Sequence, residues 1–153
     1  MKKIFLAVLL AVGVLASTAP VDARQLLSCT ISTSGVAFGA YSVFDTQPRE
    51  AEGTINYRCT LAVFVRVELD KGFSTTFDPR IMKDGTKPPI NYNLFLDANY
   101  ATIWGDGSGT TGRIGHIVVA LFTHQARVYG KIPPTQDIKP GSYSDSVTAS
   151  IIF

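Results

Sequence analysis

Apolar and polar residues alternate through Gly141–Phe153, placing Val147, Ala149, Ile151 and Phe153 on one side, because strand side chains point to opposite faces with a period of two. The pattern predicts a core strand whose outer edge no later strand covers, and an uncovered apolar edge invites a strand from elsewhere. The same period recurs in Gly53–Leu61, with Ile55, Tyr57, Cys59 and Leu61 together, and in Val63–Leu69, with Val63, Val65, Val67 and Leu69 inward and Arg66 and Glu68 outward. Ile90–Asp97 gathers Tyr92, Leu94 and Leu96; Ile117–Phe122 and Ala126–Ile132 complete the longer pieces, with shorter ones at Arg80–Lys83 and Thr102–Trp104. Between Ser28 and Phe44, β-prone pieces are interrupted by Gly35 and Gly39, as in a strand that bends or switches sheets. Gln47–Glu52 is polar, contains Pro48, and reads as a connection. No stretch past the N-terminus carries a helical period, so the chain predicts an antiparallel β-sandwich.

The N-terminus changes the picture of where this sandwich lives. Lys2 and Lys3 precede an apolar run, Ile4–Ala16, too short to span a bilayer, and Val21-Asp22-Ala23 offers small residues for cleavage before Arg24. Residues 1–23 are expected to be an export signal and 24–153 the mature domain, with cleavage after Ala16 the alternative. No second apolar segment is long enough for a membrane anchor. The formal charge of +2 falls to +1 once Lys2, Lys3 and Asp22 leave with the signal. That balance gives no clustered basic footprint for nucleic acid or an anionic membrane. In an exported chain the two cysteines, Cys29 and Cys59, are expected to pair. Closing a loop of this size is worth about 3.5 kcal/mol in the chain-entropy model. Cys59 falls on the apolar face of its strand, so the bridge should be buried and structural. A lipoprotein reading of Leu26-Leu27-Ser28-Cys29 fails because Asp22 and Arg24 separate it from the apolar run and because it orphans Cys59.

The search for chemistry yields no catalytic, cofactor-binding or metal-ligating set. Gly107-Ser108-Gly109-Thr110-Thr111-Gly112 matches a dinucleotide fingerprint letter for letter, but that motif works only where a strand feeds a helix. β-prone residues lie on both sides, so a turn is expected. Asp97, Asn99, Asp106 and Ser108 lack the alternate spacing and closing Glu of a calcium loop. His116 and His124 show no metal-binding spacing, and Asp145 between Ser144 and Ser146 has no nucleophile elbow beside it and reads as an exposed strand residue. The chain is expected not to be an enzyme. Phe73, Phe77 and Trp104, in loop-like text, are candidates for an adhesive contact; for the two phenylalanines the competing reading is that they cover the end of the core.

Several stretches together carry a family resemblance. They are Cys29–Tyr41 with its Gly35 and Gly39, Gly53-Thr54-Ile55 leading to Cys59, Leu94-Phe95-Leu96-Asp97, Thr102-Ile103-Trp104-Gly105-Asp106-Gly107, Val128-Tyr129-Gly130-Lys131-Ile132-Pro133 and Gly141-Ser142-Tyr143-Ser144-Asp145-Ser146-Val147. In this order they resemble the spore coat protein U domain, a family that includes subunits of archaic, Csu-type chaperone-usher pili. The resemblance implies an immunoglobulin-like β-sandwich lacking its last strand. A periplasmic chaperone fills the gap first, and a neighbouring pilus subunit fills it in the fibre after passage through an outer-membrane usher. On this implication Val147, Ala149, Ile151 and Phe153 line the groove for chaperone or donor strand. Shaft subunits of the family carry an alternating apolar extension ahead of the first Cys, whereas Arg24-Gln25-Leu26-Leu27-Ser28 does not alternate. The expectation is therefore a tip or minor subunit, with a role in adhesion and biofilm formation. The alternative is a self-contained secreted surface-coat or adhesive binding module.

Overall fold

The computed structural model describes residues 26–153; the expected signal over residues 1–23 lies outside the described residues. Eight strands follow in order: β1 (Cys29–Thr33), β2 (Arg49–Cys59), β3 (Val63–Leu69), β4 (Arg80–Met82), β5 (Ile90–Phe95), β6 (Ile114–Val118), β7 (His124–Ile132) and β8 (Ala149–Ile152). They form two antiparallel sheets, β1-β2-β7-β5-β4 and β6-β3-β8. The architecture is the expected all-β, immunoglobulin-like sandwich. Its core lies between the sheets, where the inward positions of β2 (Ile55, Tyr57, Cys59) meet those of β3 (Val65, Val67, Leu69). The strict alternation of those two strands is what makes one face of each sheet apolar. Cys29 and Cys59 are register partners across β1 and β2 and form a disulfide (S–S 2.02 Å). The bridge ties the edge strand to the sheet's interior.

Four local expectations need correction. β2 starts at Arg49, inside the stretch read as a connection. Its outward residues Glu50 and Glu52 pair with Lys131 and Arg127 of β7, at 3.7 and 3.3 Å. Its inward residues there are Ala51 and Gly53, too small to register as an apolar stripe. Leu61 was placed on the core face, but β2 ends at Cys59 and Leu61 is 45% exposed. β6 covers Ile114–Val118 rather than Ile117–Phe122. The chain instead turns over residues 119–123, with Leu121 in the left-handed region (φ 63°). The final strand is short: only Ala149–Ile152 pairs with β3, and Ser144 makes an isolated bridge to Lys83.

Candidate strand-acceptor groove

A groove of about 970 Å³ runs along the sandwich between residues 35–44 and 138–149. Its floor is the core itself, with Ile55 of β2, Leu69 of β3, Ile90 and Leu94 of β5, and Val128 and Ile132 of β7. Val36, Phe38 and Tyr41 form one rim; Ile138, Tyr143 and Val147 form the other. Both rims leave backbone unpaired. Among the described residues, residues 35–41 make no backbone–backbone hydrogen bond, and β8 pairs on one side only, with β3. An apolar slot flanked by unpaired backbone is the shape a β-strand fills, since a strand supplies ladder groups at its edges and side chains to the floor.

The first rim is a strap laid over the sheet. Glycines make room for it: a Cβ on Gly130 would stand 2.7 Å from the Phe38 ring and from Val36, and one on Gly53 would collide with the Gly35 carbonyl. Phe38 meets Tyr92 edge to face, with ring centroids 5.9 Å apart. Arg49 Nε donates to the Phe38 carbonyl at 2.9 Å. The Tyr41 hydroxyl donates to the Pro133 carbonyl (3.1 Å) and accepts from the Gln136 amide (2.8 Å). Gly35 and Gly39, at φ 70° and 71°, supply the two bends that bring the strap across.

The second rim is held by carboxylates. Asp145 accepts from the Tyr92 hydroxyl (2.6 Å) and from the amides of Phe73 (2.8 Å) and Ser146 (2.7 Å). Asp70 accepts from the amides of Thr148 (2.9 Å) and Gly72 (3.0 Å). Beneath them Arg80 is fully buried, donating to the carbonyls of Asp70 (2.8 Å) and Trp104 (2.6 Å) and to Asn93 Oδ1 (2.8 Å). Burial pushes the Arg80 guanidinium below its usual value, against the opposing pull of Tyr92, Asp145 and Asp70. Burial, and then the hydrogen bond to Asp145, push the Tyr92 hydroxyl well up, so it stays a donor. Burial would raise Asp70, but the Thr148 and Gly72 amides and the Arg80 charge hold it below the usual carboxylate value. Donated backbone hydrogen bonds stabilise the charged form of a carboxylate.

The predicted residues divide accordingly. Val147 and Ala149 line the groove. Ile151 packs against the core farther along β8, and Phe153, 55% exposed, lies beyond the lining. Phe73 is half exposed, while Phe77 sits between the cations of Lys71 and Arg80 (5.2 and 5.3 Å), which favours the covering role. Trp104 is a correction: it is completely buried, its Nε1 donating to the Val67 carbonyl at 3.0 Å, and it offers no surface. Asp145 is likewise a rim anchor rather than an exposed strand residue. The Gly107–Gly112 stretch is a loop closed by the Gly105 and Gly112 amides on the Gly112 and Ile103 carbonyls. The strap residues Val36, Phe38 and Tyr41 were missed as site residues; their signal was the pair of small residues, Gly53 and Gly130, at inward positions of otherwise regular strands.

The family model described as Spore Coat Protein U domain matches residues 15–150. The chain belongs to the spore coat protein U domain family. Protein U of Myxococcus xanthus is 29% identical over 109 residues, which are 66% of this chain and 59% of that protein. The fold of this family member is similar to that of a chain in the CsuC–CsuE chaperone–tip adhesion subunit pre-assembly complex from archaic chaperone-usher Csu pili of Acinetobacter baumannii. The TM-score is 0.60 at 25% identity, covering 84% of this chain and 40% of that one. The chain thus spans less than two thirds of the length of either relative.

Proposed function

We propose that this spore coat protein U domain is an exported structural subunit of a chaperone-usher pilus or surface fibre, assembled by donor-strand complementation. The observation that carries the reading is the groove, apolar along its floor and bordered by the unpaired backbone of residues 35–41 on one side and by β8, which pairs with β3 on one side only, on the other. The structural likeness to a chain from a chaperone–subunit complex supports it. Its partners would be a periplasmic chaperone, an outer-membrane usher and the neighbouring subunit whose strand replaces the chaperone's. We place it at a tip or in a minor position, with a role in adhesion and biofilm formation, a reading supported by the likeness to a chain from a chaperone–tip adhesion subunit complex.

Coexpression with a periplasmic chaperone tests this directly. The chain copurifies with the chaperone, and Val147→Asp combined with Ala149→Asp lowers recovery of the complex at least about tenfold, since each puts a carboxylate where the groove is apolar. A stable monomer indifferent to chaperone and donor peptide sinks the proposal.

A further inference from the structure

At the end of the sandwich where β2 leads into β3, apolar side chains gather with no part in the groove. Phe64 and Ile117 are register partners on the outer face of the three-stranded sheet, 54% and 69% exposed. Val119, Leu121 and Phe122 follow on the turn after β6, each more than half exposed. The Leu121 amide donates to the Cys59 carbonyl at 2.9 Å, which brings this turn beside Leu61 and makes the patch continuous. The turn is built firmly. Leu121 holds a left-handed backbone (φ 63°), a conformation costly for a branched side chain. His124 Nε2 accepts from the Val119 amide at 3.1 Å, and the His124 ring stacks on Tyr57.

The segments that carry the patch are poor in acidic side chains, and Glu68, farther along the outer face of β3, is paired with Arg113 at 2.9 Å. Residues 56–67 and 107–136 contain no Asp or Glu. Arg66 is outward on β3 two residues from Phe64, and Arg58 is outward on β2 three residues before Leu61; both are exposed, and neither pairs with a carboxylate among the described residues. An apolar surface of this kind marks an interaction site, and a cationic rim selects an anionic partner. A second copy of the same face fits poorly, because an isologous contact would bring like arginines together.

We propose that this end of the sandwich docks on an anionic lipid interface, with Leu121 and Phe122 entering the acyl boundary and Arg58 and Arg66 meeting the headgroups. Interfacial binding of this type adds buried apolar area to attraction for anionic lipid. The proposal does not depend on how the groove is filled.

Vesicle flotation of the purified chain, with phosphatidylcholine alone or mixed with phosphatidylglycerol, provides the test. The chain floats with the anionic vesicles, and added salt weakens the association. Leu121→Ser with Phe122→Ser lowers the bound fraction at least about tenfold. Arg58→Glu with Arg66→Glu removes the preference for phosphatidylglycerol, and both positions are exposed enough to leave the fold intact. Val147→Asp, which alters only the groove, leaves flotation unchanged. The proposal is overturned if the chain does not float, if flotation survives the Leu121 and Phe122 changes or follows Val147, or if those changes instead convert a dimer to a monomer.

Discussion

Asp145 joins three elements through one carboxylate: Tyr92 on β5, Phe73 after β3 and its own neighbour Ser146. Removing it leaves the hydroxyl of the buried Tyr92 without its acceptor, and an unsatisfied buried group costs about 1–3 kcal/mol, while the two amides are open to water. Asp145→Ala is expected to destabilise the domain by about 2–3 kcal/mol in urea unfolding, with Asp145→Asn, which keeps one acceptor, costing less. Titration adds a second residue-scale expectation. His116 is held below its ordinary value of 6.5, first by burial and then by His124. A group depressed in the folded state contributes stability that is present above its unfolded pKa and lost as pH falls through the folded one. Stability should therefore decline as pH falls below about 6.5, and His116→Gln should flatten that part of the profile. Asp70 acts with the same sign at lower pH: its contribution is complete above about pH 4 and lost below.

Among the elements, the strap deserves its own test because the glycines beneath it are steric, not conformational. Gly130 lies in the regular strand β7, and a Cβ there would press on Phe38 and Val36 at 2.7 Å. Gly130→Ala should lift the strap and cost about 1–3 kcal/mol, the range for overpacking, seen as a lower urea midpoint and faster hydrogen exchange at the Gln136 amide, which donates to the Tyr41 hydroxyl of the strap. These elements also show what the sequence could and could not carry. β3 was legible to the residue because the buried Val65, Val67 and Leu69 alternate with outward Phe64, Arg66 and Glu68. The start of β2 was hidden because its inward residues are small to admit the strap, so a packing requirement erased the periodic signal. β6 was displaced because Ile117, Val119, Leu121 and Phe122 are apolar yet exposed, and apolarity was taken for burial. The period of two puts Val147 and Ala149 on one side of the chain, and both line the groove. The polar network is not legible in this way, since nothing in the spacing of Asp70, Arg80, Tyr92 and Asp145 says that two strands and two connecting segments bring them together.

For the whole molecule the question is how much stability the groove withholds. A donor strand seating about four apolar side chains would contribute roughly 6–12 kcal/mol gross at 1.5–3 kcal/mol each, before ordering costs. The net stability of a domain is about 5–15 kcal/mol, so groove occupancy is comparable to everything else combined. The Cys29–Cys59 bridge adds about 3.5 kcal/mol by constraining the unfolded chain. It lies at the β1–β2 edge, however, and leaves the floor of the groove uncovered. A peptide with alternating apolar residues, present at about 100 times its dissociation constant, stabilises the domain by about 2.7 kcal/mol through linkage alone. For a chain of this size that is a rise of roughly 10 °C in melting temperature. Calorimetry with and without the peptide measures it, and the rise should grow with the logarithm of peptide concentration. Val147→Asp should abolish the rise while leaving the disulfide formed. A melting temperature that is high without peptide and unmoved by it would mean that strap and core already complete the sandwich, leaving no vacancy for a donor strand.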